Sequence, residues 1–111
     1  MATAHEIYVA VQSGLAKKGV PSGQKDAVYQ LNLSGDDGGH FYIRIREEKA
    51  EVAEGNAEDA DCTLNISASD FSKMMDGSLN GTTAFMMGKL KIEGNLGLAM
   101  KLESLLKSLQ A

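Results

Sequence analysis

The sequence predicts an α+β fold of about five strands in a mostly antiparallel sheet, covered on one face by helices. Three observations predict it. Segments in the middle of the chain alternate apolar and polar residues with period two, as half-buried strands do. Apolar residues near both ends recur at helical spacing. Twelve glycines against one proline supply tight turns without a stiff linker. Because every strand segment has a polar face opposite its apolar one, helices are needed on only one side of the sheet.

The elements follow in order. Ile7, Val11 and Leu15 recur every four positions with Tyr8 beside them, one stripe of an amphipathic helix over Ala4 to Lys18. Thr3 suits its N-cap, Gly19 its stop, and Pro21 follows. Lys17, Lys18 and Lys25 cluster around that stop, either pairing with the negative helix end or meeting an anionic group. Tyr29, Leu31 and Leu33 alternate with Gln30 and Asn32, and Phe41, Ile43 and Ile45 with Tyr42, Arg44 and Arg46. Between these two strands GDDGGH, Gly35 to His40, offers residues that tolerate hairpin turns. A short third strand spans Lys49 to Ala53, the acidic connector Glu54 to Asp61 follows as a solvated loop, and a fourth strand points Cys62, Leu64 and Ile66 inward.

Ser69 is the expected N-cap of a helix on which Phe71, Met74 and Met75 share a face, with Asp70 in its first turn and Gly77 at its end. A short helix then carries Ala84 to Met87, and Gly88 releases a strand over Lys89 to Glu93 with Leu90 and Ile92 inward. Arg44, Arg46, Lys89, Lys91 and Glu93 are expected on the wet face. Gly94 turns the chain, Asn95 caps, and a last helix presents Leu98, Leu102, Leu105 and Leu109, with Leu106 widening the face.

At 111 residues and 43% hydrophobic the chain is read as one domain, 1–111, with a single core. A formal net charge of −4 with 11 Lys and Arg gives phosphate backbones no basic face, so nucleic acid is not an expected partner. Cys62 is the one cysteine, which points to a reducing compartment. The N-terminus shows no secretory pattern and no run of 18 apolar residues exists, so neither secretion nor stable membrane insertion is expected. The expected location is cytoplasmic.

Catalytic chemistry is sparse. His5 and His40 are far apart and have no neighbours at metal-ligand spacing, so no metal site is expected. Cys62, at an inward strand position without a local cation, reads as an inert thiol and not as a nucleophile. GKLKIEGN lacks the spacing of a phosphate loop, and the acidic connector lacks that of a calcium loop; no cofactor is expected. What remains is methionine: apart from Met1, all five fall in the last 40 residues, at Met74, Met75, Met86, Met87 and Met100. Such residues make either plain core or an adaptable apolar binding surface.

The succession of an inward apolar strand, a capped short helix, Gly77-Ser78-Leu79, Ala84-Phe85-Met86, Gly88-Lys89-Leu90-Lys91-Ile92-Glu93-Gly94-Asn95 and a leucine-rich helix closely resembles the sterol carrier protein type 2 family. The match is strongest from about Cys62 to Leu106 and fits the family's order over nearly the whole chain. The resemblance implies an apolar tunnel between sheet and helices, and non-catalytic binding and transfer of fatty acid, fatty acyl-CoA or sterol. The positions it implies as tunnel lining are Phe71, Met75, Leu79, Phe85, Met86, Met100, Leu102, Leu105 and Leu106. Its implied partner is a long-chain lipid. The chain ends Leu109-Gln110-Ala111, without a Ser-Lys-Leu import signal and with no thiolase or dehydrogenase domain, which makes a stand-alone cytoplasmic protein the expectation over a peroxisomal one. A second reading keeps the same groove and fills it with a partner's helix or an oligomer contact.

Overall fold

A computed structural model describes residues 3–20 and 23–109, and Pro21 lies outside them. Helix α1, Ala4–Lys18, begins in a capping box: Thr3 Oγ1 accepts from the Glu6 N–H at 3.1 Å, and Glu6 Oε1 accepts from the Thr3 N–H at 3.2 Å. It ends at Gly19, φ +74°, whose N–H donates to the Leu15 carbonyl at 2.8 Å. Strands β1 (Ala27–Ser34), β2 (Gly39–Arg46) and β3 (Lys49–Glu54) form an antiparallel meander. Strand β4 (Cys62–Ser67) returns to pair with β1 in parallel, and β5 (Lys91–Gly94) pairs antiparallel with β4. The sheet order is β3-β2-β1-β4-β5, mostly antiparallel as expected, with β1 and β4 its one parallel pair among the described residues.

Register aligns the apolar alternation into one face. Leu31 sits opposite Phe41 on one side and Leu64 on the other, and Ile43 lies between Tyr29 and Val52. All six are buried. Helix α1 lies over β2 and β3; α2 (Ala68–Met75) and α4 (Leu96–Ser108) lie over β1, β4 and β5. Phe71 of α2 meets Phe41 edge to face, centroids 6.4 Å apart, at the centre of the core.

The other face is drier than expected at its middle. Gln30 points outward by alternation yet is only 4% exposed, because the connector after β3 folds back over it. Its amide is fully used: Oε1 accepts from the Ala57 N–H at 2.7 Å, and Nε2 donates to the Gly55 and Phe41 carbonyls. Asp61 Oδ2 accepts from the Val28 N–H at 2.8 Å, and Asp59 and Glu51 both receive the Arg44 guanidinium, which also stacks over Tyr42. The segment expected to be a solvated loop is therefore a strap. Its carboxylates find backbone donors and arginine on the sheet, and Arg44 is half-buried beneath it in place of standing free in water.

Three boundaries also move. Ser67, not Ser69, caps α2, its Oγ accepting from the Asp70 N–H at 3.1 Å, because β4 has its last paired residue there. Helix α3 runs Gly81–Met86 from an Asn80 cap, earlier than Ala84. The N–H groups of Lys89 and Leu90 both donate to the Ala84 carbonyl, which holds them in the helix-ending turn and delays β5 to Lys91. Leu90 is buried all the same.

Candidate functional site

At the β5 end of the helix-covered face the core opens into a cavity of about 210 Å³. Its floor is Leu64 of β4 with Leu90 and Ile92, Met74 of α2 closes one side, and Gly81, Thr82 and Phe85 of α3 form a second wall. Helix α4 supplies the third with Leu96, Ala99, Met100, Leu102, Glu103 and Leu106. Residues 96, 99, 100, 103 and 106 lie at i, i+3, i+4, i+7 and i+10, one continuous strip of that helix. Asn95 fixes where the strip begins, its Oδ1 accepting from the Leu98 N–H at 3.2 Å.

The residues implied by the family resemblance fall in different places. Phe85, Met100, Leu102 and Leu106 line the cavity. Phe71 and Leu105 do not: both are sealed in the core, Phe71 against Phe41. Met75 and Leu79 pack half-buried on the core's flank, and Met86, 80% exposed, stands outside on the surface of α3. Leu105 belongs to the leucine stripe that packs on the sheet, and the cavity face is the neighbouring strip. The alternation and spacing of Leu96, Ala99, Met100 and Glu103 carried that signal, but two small or polar members hid it among leucines.

Around the mouth lies apolar surface. Of the large hydrophobic side chains exposed among the described residues, Phe85, Met86, Met87, Leu96 and Met100 all belong to α3, its C-cap or α4. Apart from Glu103, titratable chemistry sits elsewhere. His5 Nδ1 lies 3.2 Å from Glu54, and His40 Nδ1 lies 2.8 Å from Asn32 Oδ1; neither histidine lines the cavity. Burial, with Asp61 beside it, pushes the Cys62 thiol up, away from the thiolate a nucleophile needs. Glu103 is the one Asp, Glu, His or Cys in the cavity lining. No described helix is long and apolar enough to cross a membrane.

The mixed five-stranded sheet with helices on one face recurs in solved structures of sterol carrier proteins. The apo form of sterol carrier protein 2 from Yarrowia lipolytica has the same fold, with a TM-score of 0.73 and 28% identity over 96% of this chain and 91% of that one. Palmitated SCP2L2 from Aedes aegypti, at 23% identity, shares it at a TM-score of 0.72, covering 96% of this chain and 95% of that one. Residues 17–107 match the model of the SCP-2 sterol transfer family, and the chain belongs to that family of lipid-binding and transfer domains, as its sequence motifs anticipated. Among curated relatives, hydroxysteroid dehydrogenase-like protein 2 of Mus musculus is 40% identical over 107 residues, 96% of this chain. That match is 21% of the mouse protein, and the Homo sapiens counterpart, 39% identical, is matched over 25% of its length. The chain thus spans about a fifth to a quarter of these relatives.

Proposed function

We propose that this chain binds a long-chain apolar lipid in the cavity between α3, α4 and β5 and transfers it, without covalent catalysis. Fatty acid, fatty acyl-CoA and sterol are the candidate ligands. The observation that carries the reading is the largely apolar cavity opening through an apolar rim. Each methylene buried there contributes about 0.8 kcal/mol before the entropic costs of binding, so an alkyl chain needs few polar contacts. The cavity, about 210 Å³, is below the roughly 300–1,000 Å³ of ordinary ligand pockets. A bound lipid must therefore widen it. Met74 and Met100 in its walls have the unbranched, adaptable side chains for that. One carboxylate without a second titratable partner in the lining is a poor start for acid–base or nucleophilic chemistry.

Native mass spectrometry of protein purified from cells, followed by lipid extraction, tests the proposal. The expected result is a noncovalently held long-chain lipid, and rebinding of an uncharged apolar dye after delipidation. A folded, delipidated protein that takes up no apolar ligand overturns it. Exposed Met86 and Met87, outside the cavity, favour a second reading in which the same surface receives a partner's helix; a bare dimer or protein complex in the same spectrum would support that reading instead.

A further inference from the structure

A second recess, of about 540 Å³, lies on the outer face of the sheet, across β4 and β5 from the apolar cavity. Register sets four polar side chains in one row along it. His40 of β2 stands opposite Asn32 of β1, Asn32 opposite Asn65 of β4, and Asn65 opposite Lys91 of β5. Lys89, just before β5, and Asp70, in the first turn of α2, also line it. The strap that buries Gln30 stops short of this row, since none of residues 54–61 lines the recess.

The hydrogen bonds along the row leave a defined set of groups unspent. Asn32 Nδ2 donates to Asn65 Oδ1 at 3.1 Å and Asn65 Nδ2 to Glu93 Oε2 at 2.9 Å, so each amide keeps one N–H in hand. Asn32 Oδ1 then lies 2.8 Å from His40 Nδ1, which must carry the proton, and the neutral imidazole keeps Nε2 as an acceptor. Lys89 and Lys91 form no ion pair among the described residues. Glu93, the carboxylate beside Lys91 on the outer face of β5, is turned to Asn65.

Charge and length narrow what fits. Two ammonium groups without a counter-ion suit the nearly doubly charged phosphate of a monoester better than a single carboxylate. Four strands side by side span roughly 14 Å, far more than a phosphate alone. Along that span the amide N–H groups offer donors, while His40 Nε2 and the Asp70 carboxylate offer acceptors, the mixture that hydroxyl groups require. None of the exposed large hydrophobic side chains among the described residues lines the recess, which favours a soluble ligand over a membrane surface. We infer that this recess binds a soluble sugar phosphate, its phosphate at Lys89 and Lys91 and its hydroxyls on Asn32, Asn65, His40 and Asp70. The site is independent of the lipid-binding function proposed above.

Heteronuclear NMR of the isotope-labelled full chain tests the site, by titration at constant ionic strength with glucose 6-phosphate, ribose 5-phosphate, the two unphosphorylated sugars and inorganic phosphate. At least one sugar phosphate should shift, to saturation, the side-chain amide signals of Asn32 and Asn65 and the backbone amides of 88–91. It should bind at least about tenfold more tightly than its unphosphorylated sugar and than inorganic phosphate, as expected for charge-assisted hydrogen bonds added to neutral ones. Lys89→Gln combined with Lys91→Gln, both at exposed positions, should weaken that binding about tenfold or more. Lys101→Gln, an exposed position on α4 that lines neither recess, should leave it unchanged. His40→Ala should bring the sugar phosphate down toward inorganic phosphate. Plain sugars or inorganic phosphate binding as tightly as every sugar phosphate, Lys101→Gln weakening binding as much as the paired change, or no saturable shift at all would overturn the assignment. So would retention on vesicles of phosphatidylcholine and phosphatidic acid that needs Lys89 and Lys91 while no sugar phosphate binds, which would give this face to a lipid headgroup. None of these outcomes touches the lipid-binding reading, which stands or falls on uptake of an apolar ligand.

Discussion

Ile43 faces the helix layer from β2, whereas Met100 belongs to α4 within that layer, and their surroundings differ. Ile43 is fully enclosed between neighbouring strands, whereas Met100 is 63% exposed at the cavity rim. Ile43→Ala should cost about 2–5 kcal/mol in urea unfolding of delipidated protein, and Met100→Ala less than about 1 kcal/mol while shifting the preferred ligand chain length. Equal costs and an unchanged length preference would make Met100 ordinary core. Leu64 was legible from alternation as a core residue, and it is buried, but it also floors the cavity. Its truncation should fall between the two, since one side already lacks close-packed neighbours.

A second residue-scale consequence concerns the strap. The Arg44 guanidinium donates to Asp59 Oδ1 at 2.8 Å and holds that carboxyl below its ordinary value of 3.8. A depressed folded-state value means the pair's contribution is complete above about pH 4 and is lost as pH falls through the folded value. Asp59→Asn should lower stability at neutral pH and flatten the acid limb of the stability curve. Chemical unfolding at several pH values between about 2 and 6 measures both; coincident acid limbs would mean that the exposed pair contributes nothing. Sequence alternation assigned Arg44 to the outer face, but it could not show that the acidic segment 54–61 returns to meet it.

At the scale of elements, the sequence S-A-S-D offered two serines for one helix start. The sheet decides between them, since Ser67 is the residue of β4 still paired with Ser34 and its Oγ then caps the turn that follows. Ser67→Ala should cost about 1 kcal/mol and Ser69→Ala less than about 0.5 kcal/mol by thermal or chemical unfolding. The reverse order would return the cap to Ser69. The turn joining β2 to β3 shows a complementary limit. Glu47 and Glu48 take φ of +50° and +62°, a conformation usually given to Asn or Gly, so nothing in the local composition marked it. Only the strands on either side betrayed it. On α4 the leucine stripe is buried at Leu102, Leu105 and Leu106 and half-buried at Leu98 and Leu109, and it masked the weaker strip beside it that forms the cavity wall.

For the whole molecule, the layers were legible because period-two strands with one apolar face leave few ways to bury that face. Strand order was not. Alternation is the same whether a strand runs up or down, so the parallel return of β4 beside β1 had no signature in Cys62 to Ser67. The cavity was less legible still, because it lies where two strands, three helices and a turn converge, and every element but α4 contributes three of its residues or fewer.

The four-residue β5 and the six-residue α3, both bordering the cavity, are the shortest strand and the shortest helix among the described residues. Short elements close few backbone hydrogen bonds, so they open locally at a free energy well below that of the longer β1 and β2. Deuterium should enter the amides of 81–94 fastest among the regular elements and those of β1 slowest. On the lipid-carrying function proposed above, the firm half keeps the chain folded and the yielding half is the expected passage for cargo. The speed of unloading is then set by how often two brief elements part, and the stability of the fold can rise or fall without changing it.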